Sequence, residues 1–301
     1  MDIISDFYKR FEKNGICVNT LFCPAVVPLL GIDDDLRAPV LSLSLSFGTL
    51  AASRRRNDDR IVIERTDTDD LPAANFNNIA VFNGKKWAKD IMRSINSITT
   101  NPNGIEILLH NDTGIPEFSD YLLCSASVYA NEYFNKDAPK CIIKATNSKP
   151  SQIITLLKNA RFAVVNTSTL DYIPYNFNFD GYKIVLIKTN RPHKVITEKN
   201  FTLREKERIN CAVQAIQNNN IKLLGECLSS SAADLMRANR KSKCRNIYSY
   251  VTEFSPIARP LNDFSGVIAI VNDEICDEMV KITGSRYEKK TGSKPAFYIS
   301  D

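Results

Sequence analysis

Residues 284–301 read GSRYEKKTGSKPAFYISD. A helix expected over 273–290 runs into this stretch, and AFYIS at its end has the composition of a strand. Directly upstream, SGVIAIV at 265–271 is an unbroken apolar run of buried-strand length. Buried strand, helix and closing strand therefore follow one another with short connections. A longer helix precedes them, FTLREKERINCAVQAIQNNN at 201–220, followed by IKLLGECLSSSAADLMRANRKS.

The same mixture holds toward the N-terminus. Residues 4–14 give a helix with Ile4, Phe7 and Phe11 on one face. Residues 37–52, RAPVLSLSLSFGTLAA, alternate apolar residues with serine and give a strand. RRRNDD at 54–59 is a polar turn, with Arg54–Arg56 as a solvated end, and RIVIERTD resumes as a strand. A helix over 84–98 places Trp87, Ile91 and Ile95 at helical spacing, with Trp87 as a core anchor. Strands are expected at 104–110, 162–168 and 182–189, and helices at 119–134 and 150–160. Strands and helices mix throughout, which is an α+β pattern with two packed lobes.

The chain has 301 residues, enough for one large domain or two lobes with a sizeable core. Its net charge of +5 permits an anionic ligand without demanding nucleic acid. No apolar run reaches membrane-spanning length. The N-terminus, MDIISDFYKRFEKNG, lacks the apolar region of a secretion signal. Eight scattered cysteines without a CxxC pair fit reduced, mostly buried thiols in the cytoplasm or another reducing compartment. The two histidines, His110 and His193, are too far apart in sequence to suggest a zinc site, so no metal is expected. Glycine is sparse, at 11, and neither GxGxxG nor GxxxxGK[ST] occurs.

The closing segment 284–301 resembles that of galactokinases, within the GHMP small-molecule kinase family. Other pieces follow in the family's order. RAP at 37–39 resembles the start of its first motif, and GKKWAKDIM at 84–92 its WAxYVxG helix. GIEILLHNDTGIP at 104–116 resembles the strand before the glycine-rich phosphate loop, and FDGYKIVLIKTNRPHK at 179–194 the strand ending in NTxxxH. ERINCAVQAIQNNNIKLLGECL at 207–228 resembles the helix pair ENxRVxEAVxAL and GDxxxFGELM. ARPLNDFSGVIAIV at 258–271 stands where the family has ARMTGAGFGGCAIALV. The resemblance implies a two-lobed GHMP kinase-like fold. Residues 1–190 then form a lobe like domain 2 of ribosomal protein S5, and residues 191–301 a ferredoxin-like lobe.

The resemblance also says where Mg-ATP and galactose chemistry should sit, and those positions hold other residues. In the first motif, APGRVNLIGEHTDYN, the catalytic arginine corresponds to Leu41. The GEHTD run corresponds to Ser46, Phe47, Gly48, Thr49 and Leu50. Leucine cannot stabilise transition-state charge, and phenylalanine cannot hydrogen-bond a sugar hydroxyl. In the phosphate loop IPxGxGLSSSA, glycines correspond to Phe118 and Asp120, and the GLSSS run to Leu122, Leu123 and Cys124. Asp120 sets a negative charge where phosphates are held. The catalytic aspartate corresponds to Ser151, beside a retained Gln152. The third motif keeps only Gly266, and Gln152 with Gly266 makes up a candidate remnant pocket. Serine cannot supply the charged base that aspartate provides.

GECLSSSAA at 225–233 mimics the phosphate loop, but its place in the chain matches the family's second helix of the pair. The basic run Arg237, Arg240, Lys241, Lys243, Arg245 is a solvated face, with a phosphate or acidic-partner patch as the alternative. The expectation is a galactokinase-like protein without catalysis and without a cofactor, acting through contacts with another protein or itself. Two alternatives remain. One is a divergent sugar kinase, which would need Mg-ATP; the other is a sugar or nucleotide sensor. Nucleic-acid binding rests only on the mild positive charge and the run at 237–245, and no membrane partner is expected.

Overall fold

In the computed structural model, apolar alternation and buried charge together explain the placement of the strands. The structure describes residues 2–12, 15–32, 39–69, 71–75, 78, 82–98, 103–111, 121–133, 161–166, 168–169, 171–189, 197, 200–240, 242 and 244–300. Helix α1 is Ile3–Arg10; strands β1, β2, β3 and β4 are Asn19–Leu30, Val40–Arg55, Arg60–Arg65 and Ala73–Asn75. Helix α2 (Lys86–Ile98), strand β5 (Ile105–Asn111) and helix α3 (Tyr121–Tyr133) follow. Then come strands β6 (Phe162–Val165), β7 (Tyr172–Tyr175) and β8 (Tyr182–Lys188), and helices α4 (Phe201–Gln217), α5 (Ile221–Ala238) and α6 (Cys244–Thr252). Strand β9 (Ala258–Pro260), strand β10 (Gly266–Asn272), helix α7 (Asp273–Thr291) and strand β11 (Ala296–Ser300) close the chain. The mixed α+β class expected from the pattern is the one observed.

The chain packs as two units, one of residues 1–25 with 47–156 and one of residues 26–46 with 157–301. The lobes expected from sequence are divided once, after residue 190.

In the first unit, β5 pairs antiparallel with β2 and parallel with β3, and β4 closes on β3. One sheet face carries Ala51, Ile61, Ile63, Ile105, Ile107 and Leu109, packed with Ile91, Met92 and Ile95 of α2 and Val128 and Tyr129 of α3. The opposite face meets α1, where Phe7 and Ile3 pack with Ala52, Val62 and Leu108. Both faces are covered, so RIVIER reads as a continuous apolar run. Helix α3 is buried on every side from Leu123 to Ala130, as an all-round apolar helix must be. Asp2 caps α1 by accepting the N–H groups of Ile4 and Ser5 at 3.1 and 3.2 Å. The helix ends at Arg10, short of the expected 14.

Beneath α1 lies a charge that the sequence pattern concealed. Arg54 is 1% exposed, and its Nε and Nη2 donate to Glu106 Oε2 at 2.8 and 2.5 Å. Its guanidinium carbon stands 5.3 Å from the centre of the Phe7 ring. The solvated reading of Arg54 is therefore corrected. The strand runs on through Arg55, and pleat alternation turns Arg54 onto the face that α1 covers. Arg56 takes the other Glu106 oxygen at 2.5 Å and also grips Asp58. Trp87, expected as a core anchor, is half-buried at the edge of its cluster, with Arg65 5.2 Å from its ring centre.

The second unit holds an antiparallel sheet in the order β11-β8-β10-β9. Val185, Ile187, Val267, Ala269 and Val271 pack with Phe201, Leu235, Ile247, Val251, Met279 and Tyr287 from the four helices α4–α7. Residues 40–43 of β2 pair with β6, and β6 pairs with β7. Strands β1, β4, β7 and β9 and helix α6 were not expected from the sequence. Pro24 and Pro28 break the strand signal of β1. The strand tolerates them because its only partner among the described residues is β2. The expected helix over 150–160 lies outside the described residues.

Removing one partner of the buried pair, as in Glu106→Ala, should cost about 3–5 kcal/mol in urea unfolding, while Arg54→Met with Glu106→Leu should cost far less. Arg56 holds the Asp58 carboxyl at about 2. A carboxyl depressed in the folded state adds stability above its unfolded value near 3.8, and that contribution disappears as pH falls toward 2. The stability gap between the native chain and Asp58→Asn should therefore be full at pH 5 and close progressively toward pH 2.

Candidate functional site

Several positions that the family resemblance assigns to chemistry are used here for packing. Leu41 lies in β2 opposite Val164 of β6, with no exposed surface. The run 46–50 is not a loop but a continuation of β2. Thr49 and Leu50 pair in register with Asn111 and His110 of β5. Gly48 has no room for a side chain, because a Cβ there would run into the backbone of residues 23–25 in β1. A close approach between strands accounts for this glycine.

The three residues matching the phosphate-loop serines form the first turn of α3. Leu123 and Cys124 are buried, and Leu122 is half-buried. The Cys124 thiol points to the Thr49 carbonyl at 3.8 Å, so two positions expected at a ligand site bind one another. No hydroxyl remains at 122–124 to meet a phosphate. Phe118, Asp120, Ser151, Gln152, Lys241, Lys243 and His193 lie outside the described residues.

Gly266 opens β10 opposite Lys188 of β8. A Cβ at this position would collide with the Ile187 carbonyl oxygen. Its own carbonyl accepts the Leu261 N–H at 2.9 Å and the Cys244 thiol at 3.2 Å. The residue is fixed by strand contact, which alone requires glycine here. The preceding turn carries Phe264 at φ 53, buried, and Asp263 accepts from the Ser265 hydroxyl at 2.6 Å. That hydroxyl takes a hydrogen bond from the buried Lys188 Nζ at 2.5 Å.

The phosphate-loop mimic at 225–233 lies wholly inside helix α5. Its backbone N–H groups belong to the helix, and a Cβ on Gly225 would press on Ile257. Ser231 is buried and accepts from Arg259 Nε at 3.0 Å. The segment is a packing surface, as its place in the chain implies.

The structure brings together a charged network that the sequence did not single out. Arg259 has no exposed surface; it reaches Asn262 Oδ1 at 3.0 Å and Glu205 Oε2 at 3.7 Å. Glu205 also accepts the Gly31 N–H at 2.8 Å and Arg208 Nη1 at 2.8 Å. Asp234 accepts from Arg204 Nε at 2.8 Å and Arg208 Nη2 at 2.5 Å. Burial pulls the Asp234 carboxyl upward, but hydrogen bonds from Arg208 and Arg204 outweigh it and hold the group below the usual carboxylate range. The ExxR spacing of Glu205 and Arg208 was the available signal, since one helical turn sets both on one face.

Arg237, Arg240 and Arg245 do converge. They line one open concavity with Ala233 and Met236. Among the described residues, no group of three or more His, Cys, Asp or Glu side chains is placed to hold a metal ion, and no helix is long and apolar enough to cross a membrane.

No family model matches the chain. A galactokinase of Clostridium beijerinckii is 28% identical over 249 residues, covering 74% of this chain and 62% of that protein's length. A galactokinase of Clostridium acetobutylicum is 23% identical, covering 99% of this chain and 97% of that protein. The fold matches Lactococcus lactis galactokinase, solved with galactose, at a TM-score of 0.79 and 17% identity, over 99% of this chain and 97% of that one. It matches Methanococcus jannaschii mevalonate kinase at a TM-score of 0.70 and 13% identity, over 95% and 98% of the two chains.

The packing account of Gly266 predicts that Gly266→Ala destabilises the chain by at least about 1–3 kcal/mol in denaturant melts, the range for overpacking a tight site. A ligand-binding role alone would leave the melt unchanged. The two sequence relatives and the shared fold support assigning the chain to the galactokinase/GHMP kinase family.

Proposed function

We propose that this is a galactokinase-like protein that has given up phosphoryl transfer and acts through contacts with another protein or with a second copy of itself. The observation that carries the reading is Leu41. It stands where the resemblance places the catalytic arginine, and it is fully buried within a strand pair. Phosphoryl transfer depends on positioning and on stabilising charge on the transferred group. A leucine without exposed surface supplies neither. The apolar first turn of α3 and the strand pairing of Thr49 and Leu50 support the same reading, because positions the family assigns to phosphate and sugar are taken up by packing. Replacing charged pocket residues by apolar ones removes a desolvation cost and stabilises a fold that no longer needs the pocket.

A thermal-shift titration with Mg-ATP, ADP and galactose, singly and together, tests this. A ligand present at 100 times its Kd adds about 2.7 kcal/mol of stability, which is easily seen. The expected outcome is no shift with galactose, and no added shift when galactose joins Mg-ATP or ADP. A shift with galactose, or a nucleotide shift that persists in Arg240→Gln, without turnover would replace the reading with a sensor. A shift with Mg-ATP followed by sugar phosphorylation would restore the kinase.

A further inference from the structure

An arginine-lined concavity lies at the end of α5. Its volume is about 480 Å³ and its lining is Ala233, Met236, Arg237, Arg240 and Arg245. That volume falls within the range of small-ligand sites.

Two of the three arginines, Arg237 and Arg245, are held in place by neighbouring groups. Asn239 caps α5, its Nδ2 donating to the Leu235 carbonyl at 2.8 Å, and Ser242 donates its N–H back to the Asn239 carbonyl at 3.0 Å. The Ser242 hydroxyl accepts the Cys244 N–H at 3.2 Å, which starts α6 and fixes Arg245 at its first turn. Asn239, Ser242 and Cys244 are all buried. Arg245 Nη1 donates to the Met236 carbonyl at 2.9 Å, so its guanidinium is anchored over the last turn of α5. Arg237 Nη1 leans on Asp234 Oδ1 at 3.3 Å. Preorganised cations bind an anion without first losing side-chain freedom.

The local charge balance leaves this surface positive. Asp234 reaches the cluster, and Arg204 and Arg208 already share it. Arg240 is exposed and meets no carboxylate among the described residues. The partial negative charge of the α5 carboxyl end is met by Arg245.

We propose that this concavity binds a small ligand carrying two or more phosphate groups. Guanidinium forks match phosphate oxygens in pairs, and three of them around one concavity suit several linked phosphates better than a single carboxylate. The small apolar floor of Ala233 and Met236 leaves room for a short non-polar portion. Among the described residues no aromatic side chain lines the site, so none there offers the base stacking that usually anchors single-stranded nucleic acid. The proposal does not depend on the loss of kinase activity.

The test is calorimetric titration of the full chain with orthophosphate, pyrophosphate, tripolyphosphate and citrate at one fixed ionic strength. Affinity should rise along the phosphate series, with citrate weaker than tripolyphosphate. Arg240→Gln should weaken tripolyphosphate by about tenfold while melting at the native temperature, because the side chain is exposed. Three results would overturn the proposal: no tripolyphosphate binding, binding unchanged in Arg240→Gln, or citrate binding as tightly as tripolyphosphate. Unchanged binding in the variant would also place the anion elsewhere in the chain.

Discussion

Among the described residues, each unit pairs one fully buried guanidinium with a carboxylate, and much of the local architecture follows from that pairing. An unpaired charge taken out of water costs several kcal/mol, so it forces partners into fixed positions. In the first unit, Arg54 fixes Glu106 on the neighbouring strand, and Phe7 of α1 closes over it. In the second, Arg259 draws Ser231, Asn262 and Glu205 together, and Glu205 in turn holds the Gly31 backbone. These contacts join segments far apart in sequence, which apolar packing alone would leave less specific in register.

Charge serves architecture here, while several positions assigned to chemistry by family resemblance are apolar and buried. Leu41, Leu123 and Cys124 are buried, and Gly48 and Gly266 are held by close approach of neighbouring strands. The two glycines matter for interpretation. A glycine at a motif position suggests backbone contact with a ligand, yet here a neighbouring strand supplies the contact. The same sequence signal has two physical origins, and only geometry separates them.

Much of the fold was legible in the sequence. The apolar periods of 182–189, 201–220, 265–271 and 273–290 gave strands and helices that the structure contains, because each buries one continuous face. Strand β1 was not legible, since Pro24 and Pro28 interrupt a pattern that only an edge position can tolerate. Arg54 was misread because three adjacent arginines look solvated, whereas strand pleating sends alternate members to opposite faces. The Glu205–Arg208–Arg259–Asp234 network was invisible for a related reason: its members lie on α4, α5 and β9, and no sequence spacing joins all of them. The convergence of Arg237, Arg240 and Arg245 was legible as a basic run, but its concave shape depends on the turn between α5 and α6.

The central claim is that this galactokinase-like fold no longer transfers phosphate, and turnover tests it most directly. The measurement is phosphorus NMR of the chain incubated with Mg-ATP and galactose at high protein concentration, following the anomeric phosphate of the sugar. The account predicts that no sugar phosphate accumulates above a protein-free control. Steady growth of a galactose 1-phosphate signal in proportion to protein would contradict it.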